Sequence, residues 1–241
     1  STQIASLSTT QVRAFTNANL SALDASQSAA LTGAQIASLS TGQINSHNAT
    51  DVADLTATQV AAMATTQVKA LTATVIGDMT ETQVAAFTAT QIASLATGNV
   101  AGLAETQAAA LTAGQVAAFT ASQIKELSET NLSALNATQA AAITATQIKA
   151  LTNTQVEALT AADVAEFTAA QLASLTTSQM AALNATNMAS LNATQVASFT
   201  ATQVARLGTE AVKGLDATQM GALPATQVKA LTATQIGALD A

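Results

Sequence analysis

Ile143-Thr144-Ala145-Thr146-Gln147-Ile148-Lys149-Ala150 is one copy of an eight-residue unit, and Leu151-Thr152-Asn153-Thr154-Gln155-Val156 begins the next. A threonine followed three residues later by glutamine is the pattern of a capping box. The hydroxyl accepts from the N3 amide, and the glutamine side chain reaches back to the N-cap amide. The apolar residues before the threonine and after the glutamine occupy N′ and N4, the two halves of a hydrophobic staple. Thr144 reads as N-cap and Gln147 as N3, and the whole start signal recurs in the next octad.

The same octad runs from Gln3 to Gln235 in thirty copies without an insertion or deletion. The cap column, from Ser8 to Asp240, holds Thr, Ser, Asn or Asp at 25 of 30 places. The N′ column is large and apolar at 29 of 30, and the N4 column is Ile, Val, Leu or Met at 27. This predicts an all-α fold, a solenoid or superhelix of about thirty very short helices, one per octad. A strand would need apolar residues at period two. A continuous helix would rotate its apolar stripe by roughly 80° per octad, so no partner helix could follow it.

Helices of this length are not stable alone, because nucleation is costly. Each octad must bury its staple against its neighbours, which is the logic of a solenoid. The expectation for domain organisation is one continuous array over residues 1–241, either part of a longer array or a subunit that stacks end to end, since neither flank resembles a polar capping repeat.

Composition narrows function by exclusion. The hydrophobic fraction is 49%, mostly alanine, with five Phe and no Trp or Tyr. Seven Lys and Arg against 14 Asp and Glu, with a net charge of -7, leave no basic stripe for nucleic acid. There is no cysteine for disulfides or thiolate metal sites. No stretch approaches the length of a membrane span. Six basic residues, Arg13, Lys69, Lys125, Lys149, Lys213 and Lys229, share one column, and Asp54, Asp78, Glu126 and Glu166 sit in the next, so both columns are expected to reach solvent.

Departures from the pattern are few. Asn19, Asp51, Asn99, Asn131, Asp163 and Asn187 replace the column Gln, and their shorter side chains are expected not to close the reciprocal cap bond. Val75 and Ala211 lose it altogether, and Ser28, Ala108 and Ala140 shrink N4. Ser28 through Asp54 is the least regular stretch and the one expected to be least stable. Pro224 falls on a cap column, where its missing N–H is tolerable to the helix.

Chemistry is sought without success. His47, the only histidine, could act with Asp51 or Asp54, but a drifted core position accounts for it more simply, and a repeat array supplies no pocket. No catalytic, cofactor-binding or metal residue is assigned, and no cofactor is expected. The Gln column reads as capping. The Thr two residues after each cap (Thr58, Thr82, Thr90, Thr146, Thr154, Thr202) has no such account, since a β-branched residue is not the best helix former.

The runs Leu71-Thr72-Ala73-Thr74, Leu151-Thr152-Asn153-Thr154-Gln155-Val156 and Leu231-Thr232-Ala233-Thr234-Gln235-Ile236 resemble octapeptide tracts of long bacterial adhesin-like or haem-utilisation-like surface proteins. The resemblance covers the whole chain. It implies an extracellular or cell-surface structural tract and carries no site residues. The expected role is a non-enzymatic stalk, fibre or sheath-like filament that associates with itself end to end or laterally. The alternative is a binding module presenting a repetitive Thr/Gln face to a glycan, peptide or ice-like surface.

Overall fold

The structure, a computed structural model, describes residues 2–46 and 48–239. They form thirty helices of four to seven residues, from α1 (Thr2–Ala5) to α30 (Ala233–Leu239), one per octad, with no strand among the described residues. The chain makes two compact units, Ser1–Leu127 and Ser128–Ala241.

Each helix opens as the octad dictates. In α8 (Ala57–Ala62), the Thr56 hydroxyl accepts from the Gln59 N–H at 3.2 Å, and Gln59 Oε1 accepts from the Thr56 N–H at 2.7 Å. It closes when the Met63 N–H bonds to the carbonyl of Val60, after which Met63 and the next cap run extended. This turn needs no left-handed residue, and no described residue has positive φ. The solenoid therefore turns at every octad without the glycine that usually ends a helix.

Asn19, Asp51, Asp163 and Asn187 do reach their caps, contrary to the sequence-based expectation, whereas the helices of Asn99 and Asn131 have no capping box, as expected. The N–H groups of Thr16, Asn48, Thr160 and Asn184 donate to these side chains at 2.8–3.1 Å. A shorter side chain closes this local ring because the extended cap residue brings its own N–H back over the first turn.

Within each unit, helices pack on the third one after them. In the first unit α2 (Thr9–Arg13), α5 (Gly33–Ser38), α8, α11 (Glu81–Ala85) and α14 (Glu105–Ala109) form one stack. In the second, α17 (Glu129–Ser133), α20 (Asn153–Ala158), α23 (Thr177–Ala182), α26 (Ala201–Val204) and α29 (Ala225–Val228) form another. Three octads thus make one coil, a repeat that the scattered substitutions do not reveal. The N4 column fills the core, with Val60, Val68, Ile76 and Ile148 at 0% exposure. Most N4 residues are buried in this way, whereas Val228 and Ile236, in the last two described helices, are 44% and 50% exposed. The column of Lys69 and Lys149 faces solvent as expected, and the acidic column beside it is exposed at Glu126 and half-buried at Asp54, Asp78 and Glu166.

Candidate functional site

The glutamine column does more than cap. Gln59 Nε2 donates to the carbonyls of Leu31 at 2.9 Å and Ser28 at 2.6 Å, 28 and 31 residues back. Gln67 does the same to Leu39 and Ile36, Gln91 to Met63 and Val60, and Gln179 to Leu151 and Ile148. The acceptors are the N′ and N4 carbonyls at the end of a helix in the preceding coil, where the i→i+4 ladder has stopped and the N4 carbonyl accepts only the N′ N–H of its own octad. One carboxamide therefore closes the start of its own helix and the end of another. Glutamate closes a capping box equally well but has no N–H to give, which explains why the column is Gln. These side chains are buried, Gln59 at 3% and Gln179 at 1% exposure, whereas Gln11 and Gln27, which have no described residue 28 or 31 positions earlier, are exposed and half-buried.

Departures from the column now have visible consequences. Asn99 and Asn187 are one methylene too short for both carbonyls and keep only the bonds to Leu71 and Leu159. At Val75 another residue takes over: Asn45 Oδ1 accepts the orphaned Thr72 N–H, and its Nδ2 donates to the Ala70 carbonyl at 2.6 Å. Pro224 has no N–H, and Gln227 Oε1 is accordingly buried without a partner. The proline is harmless to the helix, as expected, and its effect falls on the glutamine of the same octad. In α27 (Thr209–Lys213) both cap and Gln are absent, and Gly214 lies directly against the Ala185 backbone.

The Thr column is exposed. With three octads per coil it divides into rows, and on the stacks containing α8 and α20 the row is Thr10, Ala34, Thr58, Thr82 and Thr106 in one unit and Thr130, Thr154, Ser178, Thr202 and Thr226 in the other. The stacks that contain α9 (Thr65–Ala70) and α21 (Ala161–Glu166) are mixed at the same place, with Gly42, Gly114, Ala162 and Glu210 among Thr66, Thr90, Thr138, Thr186 and Thr234. Hydroxyls on the Thr rows touch the adjacent coil. Asn153 Nδ2 donates to Ser178 Oγ at 2.8 Å, and the Thr106 hydroxyl bonds to Glu81. Glu81 is held below the usual carboxylate range by its backbone hydrogen bond first and by Thr106 second.

His47 lies outside the described residues. Asp51 is buried and accepts the Asn48 N–H, while Asp54 is half-buried at the end of the same helix. Among the described residues no group of three or more His, Cys, Asp or Glu could hold a metal ion, and no helix is long and apolar enough to cross a membrane.

One cluster is not apparent from the sequence. Asp163, Glu166 and Ala140 line a small cavity together with Leu132, Leu135, Ile143, Leu159 and Phe167. Its signal is legible as two departures, a shrunken N4 at Ala140 and an acid at Asp163, but their proximity depends on three octads per coil. No protein-family model matches the chain, and no curated protein matches it in sequence.

Proposed function

We propose that the chain is a non-enzymatic structural element, an extended extracellular stalk, fibre or sheath-like filament. The observation that supports this reading is the glutamine clamp. It joins a side chain of one coil to main-chain carbonyls of the coil before, so any octad serves any other and repetition has no natural limit. The cap hydroxyl is spent on starting each helix and the glutamine amide on holding coils together. Negative-stain electron microscopy of the purified protein is expected to show rods or filaments. A population of compact globules rejects the reading.

A second reading is favoured by the hydroxyl rows. Capping is satisfied as well by Asn or Asp as by Thr, and the Thr two residues after the cap is not needed for capping at all. A row of hydroxyls and methyls on one stack is suited to a repetitive partner such as a glycan or an ice-like surface. The buried glutamines take no part, so Thr alone carries this alternative. Co-sedimentation with insoluble polysaccharide and partition into growing ice, compared between the wild type and Thr58→Glu/Thr82→Glu, tests it. Partition that is equal in both proteins removes it.

A further inference from the structure

Four of the caps are asparagine: Asn48, Asn136, Asn184 and Asn192. They head α7 (Ala49–Ala53), α18 (Ala137–Ala142), α24 (Ala185–Ser190) and α25 (Ala193–Ala197), each in extended backbone conformation. A cap needs only an oxygen. Asn136 Oδ1 accepts from the N–H groups of Thr138 at 3.0 Å and Gln139 at 3.1 Å, and the Oδ1 atoms of Asn184 and Asn192 accept from Asn187 and Gln195 at 2.9 Å. Serine, aspartate and threonine cap other helices in the same way. What asparagine adds is an amide nitrogen, and the Nδ2 groups of Asn136, Asn184 and Asn192 donate to no described residue. On the Gln column the amide holds two coils together; on the cap column it has no structural use.

Each of the four is followed by Ala and then Thr, as in Asn136-Ala137-Thr138 and Asn192-Ala193-Thr194. Asn-X-Thr is the tripeptide that asparagine-linked glycosylation requires. All four asparagines and the threonines Thr50, Thr138, Thr186 and Thr194 are exposed, and the intervening Ala49 and Ala137 are exposed while Ala185 and Ala193 are half-buried. These threonines lie outside the hydroxyl row on the stacks containing α8 and α20, so they are a separate part of the Thr column that capping leaves without an account. Two further Asn-X-Ser tripeptides, at Asn19 and Asn131, start on the Gln column instead. Their middle residues, Leu20 and Leu132, belong to the core, and Asn131 itself is 2% exposed.

We propose that Asn48, Asn136, Asn184 and Asn192 are glycosylation sites, modified at Nδ2 by a transferase that uses a glycosyl diphosphate donor. The reaction forms a bond from Nδ2 to the anomeric carbon of the sugar and breaks the bond from that carbon to the diphosphate, which leaves. The nitrogen yields one proton to a base of the transferase and keeps the other. Oδ1 is untouched, so the cap survives the modification, and the glycan projects from the surface of its coil. Asn136 and Asn184 head two helices that both pack on α21, which places their glycans on one stack of the second unit. Compartment is taken from the extracellular reading above.

The test is glycopeptide mass spectrometry of the protein isolated from the cells that make it, with its location recorded. Sugar on the cap asparagines and none on Asn131 is expected; a single hexose indicates a nucleotide-linked donor and a preassembled oligosaccharide a lipid-linked one, and either supports the proposal. Expressed in the same cells, Thr138→Ala should lose the modification of Asn136 alone without a lower unfolding temperature, and Thr138→Ser should retain it. Asn136→Asp keeps the cap oxygen and should lose the sugar yet remain folded. Unmodified cap asparagines overturn the proposal, as does sugar carried on threonine hydroxyls or on Asn131, or full occupancy of Asn136 in Thr138→Ala. Unmodified protein found outside the cell overturns this inference and leaves the extracellular reading standing, whereas modified protein retained inside the cell does the reverse.

Discussion

Gln59 donates its side-chain amide to the carbonyl of Leu31, 2.9 Å away and 28 residues earlier, while its oxygen accepts the N–H of Thr56 at 2.7 Å. Both functions of one carboxamide are needed, and each can be removed separately. In Gln59→Glu the cap bond survives, but a carboxylate faces the carbonyls of Ser28 and Leu31. In Gln59→Ala both are lost. The alanine variant is expected to cost about 2–4 kcal/mol and the glutamate variant at least as much, because buried acceptors are left unpaired beside a charge. Hydrogen exchange in the α4 (Ala25–Ala29) to α8 region, compared with distant coils, measures it. Equal protection in Gln59→Glu and the wild type would show that the donors contribute nothing.

Pro224→Thr is expected to stabilise the last coils by about 1 kcal/mol, because it supplies the N–H that Gln227 Oε1 lacks and a hydroxyl cap for α29. The change in unfolding midpoint reads the effect. Pro224→Ala, which restores the N–H alone, should recover part of it.

Asn45→Ala should destabilise the chain by about 1–2 kcal/mol, since it strips the partners of the Thr72 N–H and the Ala70 carbonyl. In the Val75→Gln background the same substitution should cost less, because the new glutamine covers the Thr72 N–H. A double-mutant cycle in urea checks the coupling, and strict additivity would refute the substitution of one residue for the other.

Two glycine replacements should have opposite signs. A Cβ at Gly214 would run into the Ala185 backbone, so Gly214→Ala is expected to cost on the order of 1–3 kcal/mol. Gly77, inside α10 (Ala73–Asp78), has open space where its Cβ would lie, so Gly77→Ala is expected to gain about 0.5–1 kcal/mol. Thermal unfolding of the two variants side by side distinguishes them.

The Glu81 carboxylate is favoured over its ordinary state by the bonds to its backbone and to Thr106. Its contribution to stability is therefore present above the unfolded-state value and is lost as pH falls through the lowered folded value. Thr106→Val should move the Glu81 titration, followed by carboxyl NMR chemical shift, back towards the usual range.

Much of the fold is legible because its rules are local. Thr144 and Gln147 announce a helix start within a single turn, and Ile148 and Leu151 mark the buried side of it. The reach of Asn19 and Asp163 to their caps is not legible, because it depends on the extended conformation of the cap residue and not on side-chain length alone. The acidic cluster is hidden for another reason. Ala140, Asp163 and Glu166 look like three isolated departures until the coil length puts them around one cavity.

By itself the sequence determined the octad: one short helix, its capping residues, its buried N′ and N4 columns and its exposed charges, all set by interactions within one turn of backbone. Only the tertiary structure decided that three octads close a coil and that Gln59 addresses Leu31 and Ser28. The physical reason is the nature of the acceptor. A glutamine that binds main-chain carbonyls places no demand on the side chains of the coil before, so the choice of Gln over Glu marks the donor but no pattern of residues records which carbonyls it reaches.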